Sequence, residues 1–159
     1  MAGADERFEP DSVMVRVGEG IGLRECGERE AARALFAELW EEIGGDAGDA
    51  FHRCAIAHSM ADARDDASEE LAWDLAALAA ANSLTDERLA DGGGTVTVAA
   101  FYPSLHLNLG ECYRKLGDPD HARDHLERGR ASLGALADDG YSAMIRDGFD
   151  RLAQALEET

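Results

Sequence analysis

The sequence predicts an all-α chain of successive helices, and three observations carry that expectation. Apolar content is mostly alanine and leucine, with few aromatic or β-branched residues, a composition that favours helices. Apolar residues recur at helical spacing, as in Leu71, Leu75 and Leu78 or Ile145, Phe149, Leu152 and Leu156. Turn signals such as Gly27, Gly44-Gly45, Gly117 and Asp118-Pro119 cut the chain into helix-length pieces. At 159 residues it can form one domain with its own core, or a short stack in which each unit buries its neighbour.

Residues 1–10 read as a flexible lead ending at Pro10, with Asp11 or Ser12 as the first cap; residues 11–158 read as a single helical domain. The first helix spans about 12–26 and presents Val13, Val17, Ile21 and Leu23. Gly18, Gly20 and Gly22 weaken it by about 1 kcal/mol each, so packing must hold it. Gly27 ends it, and a second helix from about 28 to 43 presents Ala32, Phe36 and Leu39. After the turn at 44–49, helices are expected over about 49–64 and 67–82, the latter with Leu71, Leu75 and Leu78 as its stripe. The turn between them, Asp65-Asp66-Ala67-Ser68, has no glycine, which leaves the register there free to slip by one residue.

Residues 83–100 are an insertion that breaks the rhythm. Thr85 to Arg88 supports one more helical turn, and Gly92-Gly93-Gly94 is a flexible break. Thr95-Val96-Thr97-Val98 alternates as a strand would, but no partner strand exists, so it reads as a loop or as an early start of the next helix. Such an insertion is either a working segment or, the plainer reading, tolerated loop. Helices over about 101–116 and 119–134 follow, then one over about 140–157 whose outer face carries Arg146, Asp147, Asp150 and Arg151.

The order Leu109-Gly110, Tyr113, Gly117, Ala122 and Leu126 within 103–136 resembles the tetratricopeptide repeat, a unit of two antiparallel helices in about 34 residues. The physics of those residues agrees. Gly110 lets a neighbouring helix come close, and Gly117 ends the first helix in a left-handed turn without a Cβ penalty. Asp118-Pro119 supplies a cap and a proline at the first helical position. Setting Gly27 on Gly117 places Gly20 on Gly110 and Leu23 on Tyr113, although Glu19 stands where Leu109 does. Residues 49–82 match least, with Ser59 for the glycine and Asp62 for the tyrosine. The resemblance implies a right-handed α-solenoid of three helix pairs plus a C-terminal capping helix.

It also implies a function, a non-enzymatic scaffold that holds a protein or peptide in a concave groove lined by the first helix of each pair. In this register the lining is Val17, Ile21 and Arg24, then Arg53, Ile56 and Met60, then Leu107, Asn108, Glu111 and Arg114. The apolar positions would supply contact area, and the arginines would favour an acidic or C-terminal group on the guest. Two other occupants compete for that surface: a second copy of the chain, making a structural homo-oligomer, and residues 95–101 folded back. Some members of the family grip peptide termini through a carboxylate clamp. Its positions fall here at Val17, Ile21, Ala57, Ser104 and Asn108, of which only Asn108 fits, so no clamp is expected.

Charge narrows the partners further. Fifteen basic against 33 acidic residues leave a formal charge of −18, a field that argues against nucleic acid and anionic lipid. Lys115 is the only lysine; the preference for arginine, alanine and aspartate reads as coding bias. No segment has the length of a membrane span, and the N-terminus carries acid without an apolar core, so it does not read as a signal peptide. Cys26, Cys54 and Cys112 are expected as reduced thiols on helices, in keeping with a cytoplasmic location.

Chemistry-bearing constellations are sparse. His121 and His125 stand at i, i+4, the spacing of a metal pair, but Ala122 sits where a zinc peptidase carries glutamate, and both are expected on the outer face. His52, His58 and His106 lie on first helices with Asp62 nearby; a packed, hydrogen-bonded His106 is the plain expectation. Glu41-Glu42 and Glu69-Glu70 read as solvated faces, and Trp40 and Trp73 as covers over the seams between pairs. No catalytic residue, metal or cofactor is expected, and a histidine-based metal protein or enzyme is the alternative reading.

Overall fold

The computed structural model describes residues 11–91 and 96–158. The flexible lead at 1–10 and the glycine break at 92–94 lie outside the described residues. Eight α-helices follow in order: α1 Ser12–Glu25, α2 Arg29–Glu42, α3 Ala50–Asp62, α4 Ala67–Asn82, α5 Asp86–Asp91, α6 Tyr102–Lys115, α7 Pro119–Ser132 and α8 Gly140–Glu157. Among the described residues there is no strand. Val98–Phe101 forms a 3-10 turn that runs straight into α6, so this stretch is an early start of that helix.

Aspartate starts most of these helices. The carboxylates of Asp11, Asp49, Asp66, Asp118 and Asp139 accept backbone N–H groups in the first turns of α1, α3, α4, α7 and α8. Each such cap is worth about 1 kcal/mol, so part of the aspartate excess is structural. Glycine ends two of the first helices in the same way. Gly27 and Gly117 have φ of 85° and 77°. The next N–H reaches back over the turn, from Glu28 to the Leu23 carbonyl (2.8 Å) and from Asp118 to the Tyr113 carbonyl (2.9 Å). These are matching Schellman closures after α1 and α6.

The helices pack in chain order. α1, α2 and α3 contact one another, α3 lies along α4, α4 meets α6, and α6, α7 and α8 close the far end. The buried apolar residues form three clusters along that order. Val17, Phe36, Leu39, Ile56 and Met60 belong to the first, Cys54, Ala77, Leu78, Leu105 and Leu109 to the second, and Leu126, Ile145, Phe149 and Leu152 to the third. Trp40 of α2 and Trp73 of α4 meet edge to face with ring centroids 5.2 Å apart and touch both the first and second clusters. They cover a seam, as expected.

Two helical faces differ from expectation. In α4 the buried residues include Asp74, Ala77, Leu78 and Ala81, while Leu75 is 40% exposed. The face is rotated because α4 turns its alanines to α3 and so lets the two backbones approach closely. In α7, His125 is buried with Ala122, Leu126 and Gly129, and only His121 faces outward. Positions 122, 125, 126 and 129 form one helical stripe, so the outward placement of His125 is corrected.

Glycine sets the closest approaches. A Cβ on Gly20 would overlap the buried Phe36 ring, and one on Gly129 would overlap Phe149. A Cβ on Gly110 would stand 2.6 Å from Leu152 Cδ2. By contrast, Gly18 and Gly22 on the same helix as Gly20 have nothing within 4 Å of that position. Alanine at 18 or 22 is therefore expected to stabilise the protein by up to ~1 kcal/mol through helix propensity. Alanine at 20 is expected to destabilise it by ~1–3 kcal/mol through overpacking. Urea unfolding of the three variants checks the contrast, and a uniform sign would place α1 on another face.

Candidate functional site

A cavity of about 230 Å³ lies between α1, α3 and the start of α6. Met14, Val17 and Ile21 form the α1 wall. Phe51, Cys54, Ala55, His58 and Ser59 form the α3 wall, at the i, i+3, i+4, i+7, i+8 spacing of one helical face. Phe101, Ser104 and Leu105 close the third side. The lining is almost wholly apolar, and small residues, Ala55, Ser59 and Ser104, leave the space. Burial pushes the Cys54 thiol up to about 11, so it stays protonated and unreactive near neutral pH.

The sequence-predicted lining is only partly brought together here. Val17 and Ile21 line the cavity, Val17 nearly buried and Ile21 half-buried. Ile56 and Met60 are fully buried against Phe36 and Leu39 in the first core cluster, so they face α2 rather than the cavity. The open face of α3 is shifted by one residue, to Ala55 and Ser59. That is the slip a glycine-free turn permits. Leu107 lies against Gly148 of α8, away from the cavity. Asn108 sits beside the Asp74 carboxyl.

Each predicted rim arginine has a partner within the chain. Arg24 pairs with Asp62 (3.1 Å), Arg53 donates Nε to the Gly48 carbonyl (2.8 Å), and Arg114 pairs with Glu111 (3.0 Å). Of the described part of 95–101 only Phe101 reaches the cavity wall, while Val96, Thr97 and Ala100 face Leu136 and Tyr141 beyond α7. The insertion is tied down instead: Arg88 forks onto the Asp49 carboxylate at 3.0 and 3.1 Å, and Asp86 accepts the Val98 N–H at 2.7 Å.

The five histidines do not gather into one site, and only His106 and His125 meet. His52 pairs with the Asp11 cap at 2.6 Å, locking the start of α1 to α3. His106 and His125 are buried with their Nδ1 atoms 3.0 Å apart, one donating and the other accepting. His121 stays on the surface with Asp118. Only His58 belongs to the cavity wall, and its ring continues into a polar cluster below. His58 Nδ1 is 3.9 Å from Asp74 Oδ1 and its Nε2 is 3.9 Å from Asp62.

That cluster is the site feature sequence reasoning missed. Asp74 is fully buried, and its Oδ2 receives the Cys112 thiol at 3.6 Å. Burial, reinforced by the nearby Asp62 and Glu70 charges, pushes Asp74 up to about 8, against opposing hydrogen bonds from Cys112 and Asn108. Burial, with the Asp74 and Glu70 carboxylates nearby, raises the Cys112 thiol. The available signal was a charged residue inside an apolar stripe: Asp74 stands at i+3 from Leu71 and four before Leu78. Glu70, read as solvated, lies on this same face with its side chain 18% exposed.

No family model, curated protein or solved structure matches the chain. No described helix is long and apolar enough to cross a membrane.

The buried histidine pair makes stability pH-dependent. Burial, with the positive Arg128 and His125 nearby, pulls His106 down to about 4, and burial also lowers His125. Both shifts are depressions. The stability they carry is complete above the unfolded value of about 6.5 and is lost as pH falls toward about 4. Wild type and His106→Leu should therefore differ by on the order of 1 kcal/mol more at pH 7.5 than at pH 5, in favour of the wild type. The difference between the two proteins cancels the Asp74 contribution, which runs the other way. Denaturant unfolding at both pH values reads it, and a pH-independent difference would mean the pair titrates as in solvent.

Proposed function

We propose that the chain is a tetratricopeptide-like scaffold, a short right-handed solenoid of α1–α2, α3–α4 and α6–α7 closed by α8. It works in the cytoplasm without catalysis and binds a protein or peptide. The matching closures at Gly27 and Gly117 and the chain-order packing support the architecture. The single observation that carries the function is the apolar cavity at the junction of three helices, α1, α3 and α6, which are the first helices of their pairs. A cavity of about 230 Å³ suits one large apolar side chain, the anchor by which a peptide docks into a helical groove.

The charges favour one kind of guest. Arg24 and Arg114 are each paired with a carboxylate within the chain and Arg53 Nε is spent on the Gly48 carbonyl, so a carboxylate on the guest would compete with partners already present. The net charge of −18 instead attracts basic flanks and speeds their encounter. The guest is therefore an apolar anchor between lysines or arginines.

Ala55→Trp fills the cavity from the α3 wall and provides the test. Selection of displayed peptides on the wild-type protein should enrich sequences with one large apolar residue flanked by basic ones. Their affinity should fall at least ~10-fold on the variant, as expected when an anchor pocket is lost, with an unchanged melting curve. Rising salt should weaken binding to the wild type. Absence of enrichment, or equal binding to a folded variant, rejects the reading.

A further inference from the structure

We propose that Glu70 and Asp74 of α4 and Cys112 of α6 form a binding site for a divalent transition-metal ion of the zinc type, closed from α3 by His58. One carboxylate oxygen from each acid and the Cys112 sulfur all lie within 4.8 Å of one another. The Cys112 Sγ to Asp74 Oδ2 distance is 3.6 Å. Two ligands on one tetrahedral zinc, at bond lengths near 2.3 Å to sulfur and 2.1 Å to oxygen, stand about 3.6 Å apart.

Two unspent atoms point to the same place. Asp74 is 0% exposed, yet its Oδ1 has no hydrogen-bond partner among the described residues. A carboxylate oxygen left bare in the interior is costly unless something binds it. Facing it at 3.9 Å is His58 Nδ1, also buried and without a hydrogen-bond partner. That gap is too long for a hydrogen bond and wider than the ~3.4 Å between two ligands on one zinc, so His58 closes the site by turning its ring toward the ion.

The donor set selects the metal. A thiolate, an imidazole and two carboxylates suit zinc and its neighbours; calcium and magnesium would require more oxygens and would leave the sulfur unused. Charge also balances. Glu70, Asp74 and Cys112 bring three negative charges when deprotonated, the ion brings two positive, and Lys115 Nζ stands 3.8 Å from Glu70 Oε2 with the third. Coordination replaces the protons of the Asp74 carboxyl and the Cys112 thiol, which pass to solvent with no change of oxidation state. Glu70 and His58, whose side chains are 18% and 33% exposed, give the ion its way in. Spacing alone hid this site, because its donors come from three helices and only Glu70 and Asp74 are close in sequence.

Cobalt(II) titration of the full chain after dialysis against chelator tests the proposal, because a thiolate on cobalt gives a charge-transfer absorption that carboxylates and imidazole do not. The expected result is saturation at one cobalt per chain, displacement by zinc, and release of protons to a weakly buffered solution. Cys112→Ser should abolish the charge-transfer band, while Cys26→Ser and Cys54→Ser should keep it. Glu70→Gln, an isosteric change at a partly exposed position, should weaken binding at least ~10-fold with an unchanged melting curve, so the test stands even if Cys112→Ser fails to fold. No one-to-one binding by wild type, a band that survives in Cys112→Ser, or unchanged affinity in Glu70→Gln would overturn it.

Discussion

The structure depends on how closely its helices approach, and that distance is set by small residues facing large rings. Phe36 seats on Gly20 and Phe149 on Gly129, and alanines at 32, 57, 77, 81 and 122 are fully buried where helices meet. Close packing of this kind holds helices whose intrinsic propensity is poor, as in the glycine-bearing α1. The same economy of size creates the cavity. Where α1, α3 and α6 converge, Ala55, Ser59 and Ser104 face one another and no ring fills the gap. Cavity and core thus arise from one rule, with a large partner present in one place and absent in the other.

Acidic residues act in three distinct ways. Those at helix starts cap exposed N–H groups and gain from the helix dipole. Those on outer faces form ion pairs such as Arg130–Asp150 and Arg128–Asp124, which are solvent-screened and contribute little. Asp74 alone among the described acidic residues is fully buried. Its cost must be offset by something local, since an unpaired interior carboxyl is retained at the expense of stability.

The cavity and the buried cluster are adjacent because His58 belongs to both. Its ring forms part of the α3 wall, while its Nδ1 looks toward Asp74. A single side chain therefore separates the buried Asp74 carboxyl from the cavity wall, with His58 Nδ1 3.9 Å from Asp74 Oδ1.

The sequence by itself determined the helices and their ends. Periodicity, aspartate caps, and Gly27 and Gly117 placed the seven long helices to within about two residues, because these signals are local and act through the backbone. It also determined the α8 stripe, where Ile145, Phe149, Leu152 and Leu156 are all buried as spaced. Only the tertiary structure decided which face of α3 opens to the cavity. A one-residue slip turns a helix by about 100°, and the glycine-free turn after α3 leaves that angle to packing. It likewise decided that His125 turns inward to His106 and that Arg24, Arg53 and Arg114 are engaged within the chain. The cluster around Asp74 was legible only as a charge in an apolar stripe. Its partner Cys112 lies on another helix, and contacts between helices follow from packing, which no local pattern encodes.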